Sequence, residues 1–325
     1  MALLNPPDVL PEAMRFLVRT LIALPKAEAD REELVSLVAP RGLKEAMDSI
    51  ATGTADPSEA DLDDLRAGGS IIADASLDAL RMLGMVESAG NRIRLASAGV
   101  ERWKGPVDVT SRSIFQVLLD AVIEMAGSDA SSGVGDFIQA LVLLHVAGEP
   151  LRPFDRFESP ATKGVGRSFA IMQEQVLGSE RKNWPVPNRE QWSSFRRWAS
   201  YLGLARTTGS SGLIPDASEA LIYRLPTLTP GDYDVRDFIA RCASAVPILD
   251  GGGLQFGHDP QYEGDHAILT GGLTVSLLQL EADGFLTMEK RSDAGGRTLR
   301  LQPDGSADRI VTTMVWERTR IRGDL

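Results

Sequence analysis

Phe195-Arg196-Arg197-Trp198-Ala199-Ser200-Tyr201-Leu202-Gly203-Leu204-Ala205, then residues 206–211, then Gly212-Leu213-Ile214-Pro215, is the stretch on which the fold is read. A helical run meets a glycine, an apolar pair follows, and a polar turn separates two β-like segments. The same order stands upstream in Ser76-Leu77-Asp78-Ala79-Leu80-Arg81-Met82-Leu83-Gly84-Met85-Val86, Glu87-Ser88-Ala89-Gly90-Asn91 and Arg92-Ile93-Arg94-Leu95. It returns downstream in Leu277-Leu278-Gln279-Leu280-Glu281-Ala282-Asp283-Gly284-Phe285-Leu286, residues 287–296, and Arg297-Thr298-Leu299-Arg300-Leu301.

Leu77 and Leu80 precede their glycine by the same offsets as Leu277 and Leu280, so each pair shares one helical face and is expected to pack inward. Glycine just past a helix supplies the left-handed C′ conformation without a Cβ penalty. Helix, glycine stop, strand, turn and strand is the local pattern of a winged helix-turn-helix. The expected fold is therefore mainly α with small β-hairpins, in three tandem winged helix-turn-helix-like units. The matched glycines are too unevenly spaced for a solenoid of fixed period.

Outward from these stretches, Lys104-Gly105-Pro106 and Pro230-Gly231 mark boundaries, giving expected domains at 1–105, 106–228 and 229–325. Helices are expected over 8–24, 30–38, 43–50, from Asp74 or Ser76 to the first glycine, and over 110–125, 137–146, 166–177, 188–203, 233–245 and 273–283. Residues 51–69 read as an acidic, turn-rich loop, residues 151–164 as an irregular connection, and residues 254–265 as loop.

The chain has 325 residues, 43% hydrophobic and 24% charged, enough for a sizeable core in two to three domains. Its formal net charge of −11 argues against wholesale coating of nucleic acid. One local basic face can still neutralise phosphates. Cys242 is the only cysteine, so neither an intrachain disulfide nor a thiolate zinc site can form. No signal peptide and no apolar run of membrane-spanning length is read, and the expected location is cytoplasmic, away from membranes.

The middle copy is best equipped for DNA. Arg189, Gln191, Ser193, Ser194, Arg196 and Arg197 can present donors beside inward Trp192, Phe195 and Trp198. The first copy adds Arg92 and Arg94 in its hairpin, and the third adds Lys290, Arg291 and Arg297 as a basic rim around the tip 293–296. These ten residues, Ser194 aside, form the expected DNA-binding set. Rigid docking of proteins is the competing use of such a unit, and the residues leave both open.

Catalytic patterns are missing. There is no G-x-x-x-x-G-K-[ST] loop and no G-x-S-x-G elbow. Gly251-Gly252-Gly253 reads as a hinge. His258, Asp259, Glu263, Asp265 and His266 read as a polar loop rather than a metal site, His145 and Cys242 as core residues. The chain is expected to be no enzyme and to need no metal or other cofactor.

The opening Leu3-Leu4-Asn5-Pro6-Pro7-Asp8-Val9-Leu10-Pro11, with Met14-Arg15-Phe16-Leu17, resembles the start of the G component of the bacterial Dpd system. That system inserts 7-deazaguanine derivatives into DNA and restricts unmodified DNA. The resemblance implies a subunit of an anti-phage defence complex, working beside ATPase or nuclease partners, and carries over no catalytic residue. The function expected is a non-catalytic subunit of such a complex that binds DNA, scaffolds its partners, or does both. Two alternatives stand beside it: a sequence-specific transcription regulator, and a partner of an SMC-like complex. Oligomeric state is not legible.

Overall fold

The computed structural model describes residues 3–4, 9–38, 59–96, 111–128, 133–147, 149–150, 152–158, 167–209, 212–225, 228–255, 261–263, 266–291, 295–302 and 305–317. The expected helix over 43–50 and the Lys104-Gly105-Pro106 boundary lie outside these residues. The chain forms two compact units: residues 1–125 with 131–134, and residues 126–130 with 135–325.

In the first unit, α1 (Pro11–Ala23) leads through a tight turn to β1 (Glu28–Asp30) and α2 (Arg31–Val38). A long α3 (Glu59–Met82) follows, then β2 (Val86–Ala89) and β3 (Arg92–Leu95). Helix α4 (Ser111–Ser128) follows these strands. The strand order is β1-β3-β2, antiparallel throughout. Met14, Leu17, Val18 and Leu21 of α1 are buried, as are Leu77 and Leu80 of α3. Burying each such side chain contributes roughly 1.5–3 kcal/mol.

Two readings of this region are corrected. Residues 59–69 are helix, not loop, because α3 starts at Glu59. Neither Asp74 nor Ser76 caps a helix start. Asp74 and Asp78 instead hold the Arg31 guanidinium at 2.9 and 3.1 Å, and Ser76 Oγ accepts Leu10 N–H at 3.2 Å. A short polar residue reads as a cap by sequence, yet here tertiary partners claimed it.

The second unit contains α5 (Gly135–Ala147), β4 (Phe154–Arg156), β5 (Arg167–Ser168), α6 (Phe169–Leu177), α7 (Arg189–Tyr201), β6 (Ala205–Thr208), β7 (Gly212–Pro215) and α8 (Ser218–Arg224). It continues with β8 (Gly231–Asp234), α9 (Val235–Ala245), β9 (Gln261–Glu263), β10 (His266–Ile268), α10 (Gly271–Ala282), β11 (Leu286–Glu289), β12 (Arg297–Leu299), β13 (Arg309–Val311) and β14 (Thr313–Trp316). Its sheets run β5-β4-β7-β6, β11-β14-β8 and β13-β12-β10-β9.

The three tandem winged helix-turn-helix-like units are overturned by this pairing. Helix takes about 52% and strand about 20% of the described residues, the strands in four small sheets of three or four. The expected third hairpin does not exist. β11 pairs antiparallel with β14, whereas β12 lies in another sheet, parallel to β10 and antiparallel to β13. The second hairpin, β6–β7, forms but belongs to a sheet whose β4–β5 pair is parallel. The architecture is α+β, with mixed sheets.

What the three stretches do share is their helix ending. Met85 N–H reaches Leu80 O, Leu204 N–H reaches Ala199 O and Phe285 N–H reaches Leu280 O, each at 2.9 Å. Gly84, Gly203 and Gly284 take φ of 67°, 61° and 76° to allow it. These bonds satisfy helix carbonyls that would otherwise be orphaned, and Met85, Leu204 and Phe285 seal each ending by burial. The same local motif thus feeds three different strand pairings.

A buried seam joins α5, α8 and α10. His145 Nε2–H donates to Leu204 O at 2.8 Å, and Ser276 Oγ accepts Ala217 N–H at 2.8 Å. Gly272 lies against the His145 ring, where a Cβ would come within 2.0 Å of Nδ1.

Candidate nucleic-acid interface

Helix α7 is held from within by aromatic packing. Phe169 stacks on Trp192 and Phe195 with ring centroids 4.8 and 5.5 Å apart, and Phe137 meets Phe195 edge-on at 5.9 Å. Trp192, Phe195 and Trp198 are all buried. Their spacing on the helix confines the opposite face to solvent. At the N-terminus Asn188 Oδ1 accepts Gln191 N–H at 2.9 Å, which fixes the first turn. The glycine stop fixes the last.

The solvent face carries Arg189, Ser193 and Arg197, one residue per turn, all exposed, with exposed Glu190 next to Arg189 in the first turn. None of the three has a hydrogen-bond or ion-pair partner among the described residues. Arg196 lies beside them half-buried, and desolvation lowers its guanidinium pKa from the ordinary value. Gln191 and Ser194 turn inward: the Gln191 Oε1 and Ser194 Oγ atoms are both buried. From residue 178 to 201 there are five basic side chains against two acidic ones, within a chain whose net charge is −11. Arg181 and Lys182, ahead of the helix, are exposed and paired with Glu158 at 3.4 Å and Glu180 at 3.1 Å.

The remaining expected contacts sit elsewhere and are engaged differently. In the first unit Arg94 makes two bonds to Glu87 at 2.7 and 3.1 Å, and Arg92 pairs with Glu28 at 3.1 Å and Asp30 at 3.9 Å. Three carboxylates surround two guanidiniums, so this strand face is net acidic. In the second unit Arg291 is held by Glu289 and Asp232, which raise its pKa, with the Glu289 bond the larger cause. Arg297 donates to Gly296 O at 3.1 Å, while Lys290 is exposed. Glu281, at the end of α10, is bound to Arg309 and accepts Met288 N–H at 3.0 Å. Burial works against its ionisation, but Arg309 and the Met288 N–H outweigh that and leave its pKa lowered.

Two groups with catalytic chemistry are shut in the core. Cys242 is fully buried and its thiol pKa is pushed up by desolvation, so no thiolate is available near neutral pH. His145 is buried too, and burial lowers its pKa to about 4. The side chains of His258, Asp259, Glu263, Asp265 and His266 lie outside the described residues. Among the described residues no group of three or more His, Cys, Asp or Glu could hold a metal ion, and no helix is long and apolar enough to cross a membrane.

The chain is thus an α+β protein of two units in which, among the described residues, α7 presents arginines without carboxylate partners on a molecule of net negative charge. It belongs to the DpdG-like family, whose model matches residues 1–294. Neither the curated proteins nor the solved structures contain a match. The family points to a component of the bacterial Dpd defence system, and protein partners follow from a system of several subunits.

Proposed function

We propose that this chain is a non-catalytic, DNA-contacting subunit of the Dpd assembly, acting in the cytoplasm beside ATPase or nuclease partners. The observation that carries the DNA contact is the line of Arg189, Ser193 and Arg197 on α7, exposed and unpaired among the described residues. Guanidiniums already matched to carboxylates gain less from phosphate than unmatched ones, because each must first give up a partner. That contrast favours α7 over the strands bearing Arg92 and Arg94 or the region of Arg291. The buried positions of Cys242 and His145, together with the missing phosphate-loop and nucleophile-elbow motifs, support a role without chemistry of its own.

The test is fluorescence anisotropy of the full chain on a labelled DNA duplex, beside the double variant Arg189→Glu, Arg197→Glu. Wild type is expected to bind and the variant to lose retention while keeping its fold by circular dichroism. Equal retention by both would refute the assignment of α7. Nucleotide hydrolysis or DNA cleavage by the purified wild-type chain would refute the non-catalytic part.

A further inference from the structure

We infer that the α7 face takes double-stranded DNA through its sugar–phosphate backbone, without regard to base sequence; this rests on the DNA-contacting role proposed above. Reading a base edge from a helix calls for forked donors: arginine on guanine, or an Asn or Gln amide on adenine. Neither amide of α7 and its N-cap can supply that fork. Asn188 spends its Oδ1 on the first turn of α7, and Gln191 buries one end of its amide. What faces outward at the middle of the stripe, where base edges would lie, is the single hydroxyl of Ser193.

The two unpaired cations sit at the ends. Arg189 and Arg197 are eight residues apart, about 12 Å along the helix axis. That span is about the width of the B-DNA major groove. Side chains at those positions reach the phosphates that wall the groove rather than its floor. Arg181 and Lys182 extend the same basic segment, and their pairs with Glu158 and Glu180 are exposed and weak, so phosphate can replace the carboxylates.

Duplex is favoured over single strands by the aromatic side chains. Sequence-tolerant binding of single strands relies on exposed rings on which bases stack. Trp184, Trp192 and Trp198, the tryptophans of this segment, are all buried, so they offer no such platform.

The experiment measures anisotropy of the full chain on three 20-base-pair duplexes (A·T-rich, G·C-rich and mixed), their separated strands and an RNA duplex, at one salt concentration. Dissociation constants on the DNA duplexes are expected to agree within about threefold, with single strands at least tenfold weaker. Arg189→Ala with Arg197→Ala is expected to weaken all three DNA duplexes by the same factor, roughly tenfold to hundredfold for two lost phosphate contacts. A more than tenfold preference for one DNA duplex, or tighter binding of single strands or of the RNA duplex, overturns this inference and leaves DNA contact standing. Binding to none of the probes overturns both.

Discussion

Acid should weaken the second unit through one residue, His145. Its Nε2–H donates to the Leu204 carbonyl, so the neutral ring carries its lone pair on Nδ1, which has no partner among the described residues. A proton added there would place a charge in a fully buried site, and the Asp216 carboxylate compensates only in part. The folded-state pKa is about 4 against 6.5 for an ordinary histidine, lowered chiefly by desolvation. The unfolded chain therefore binds this proton below pH 6.5 while the folded chain does not. Stability from this group is complete above pH 6.5 and declines as pH falls toward 4. At roughly 1.36 kcal/mol per pKa unit the loss is about 3 kcal/mol. The assay is urea unfolding at pH 7, 5.5 and 4.5, followed by tryptophan fluorescence; Trp184, Trp192, Trp198 and Trp316 all lie in the second unit. His145→Gln can keep a donor toward Leu204 O without titrating. Wild type should lose about 2 kcal/mol more than the variant between pH 7 and 4.5, a midpoint difference on the order of 1 M urea. Parallel pH dependence in the two proteins would refute the reasoning.

Three further outcomes follow from particular contacts. Gly272→Ala should destabilise the second unit by about 1–3 kcal/mol, read by the same urea assay, because its methyl would collide with the His145 ring. Ala27→Gly should stabilise the first unit by roughly 0.5 kcal/mol in thermal unfolding: Ala27 holds φ of 53°, and relieving about 1–2 kcal/mol of left-handed strain exceeds the added chain entropy of glycine. Arg92→Ala with Arg94→Ala should change DNA affinity by less than about twofold in anisotropy, since both guanidiniums already face carboxylates. A tenfold loss would place a phosphate contact in the first unit.

Local signals were legible in the sequence and distant pairings were not. The glycine stops, the Asn188 cap, the buried Leu77, Leu80, Leu277 and Leu280, and the inward Trp192, Phe195 and Trp198 all follow from spacing over a few residues. The hairpins β2–β3 and β6–β7 also form where their turns predict them. The third failed because Leu286 to Glu289 has two possible neighbours of similar pattern, and the chosen one, β14, follows beyond the segment that seemed to complete the hairpin. Short strands such as Glu28–Asp30, Gly231–Asp234 and Gln261–Glu263 carry no alternation long enough to register. Each forms because a neighbouring strand already has an open edge.

The site was legible in composition and not in engagement. Sequence places ten polar or basic residues on three segments and favours the middle one from residue types alone. Only packing separates exposed Arg189, Ser193 and Arg197 from half-buried Arg196, inward Gln191 and the carboxylate-bound Arg92, Arg94 and Arg291. Those ion pairs join residues up to 64 positions apart, such as Glu28 with Arg92, and no local pattern announces them.

The most direct test of the α7 assignment is the salt dependence of duplex binding. Arg189→Ala with Arg197→Ala should reduce the slope of log affinity against log salt by about 1.8, at roughly 0.9 per phosphate released. An unchanged slope, with the fold intact, would contradict the claim that this helix face grips the DNA backbone.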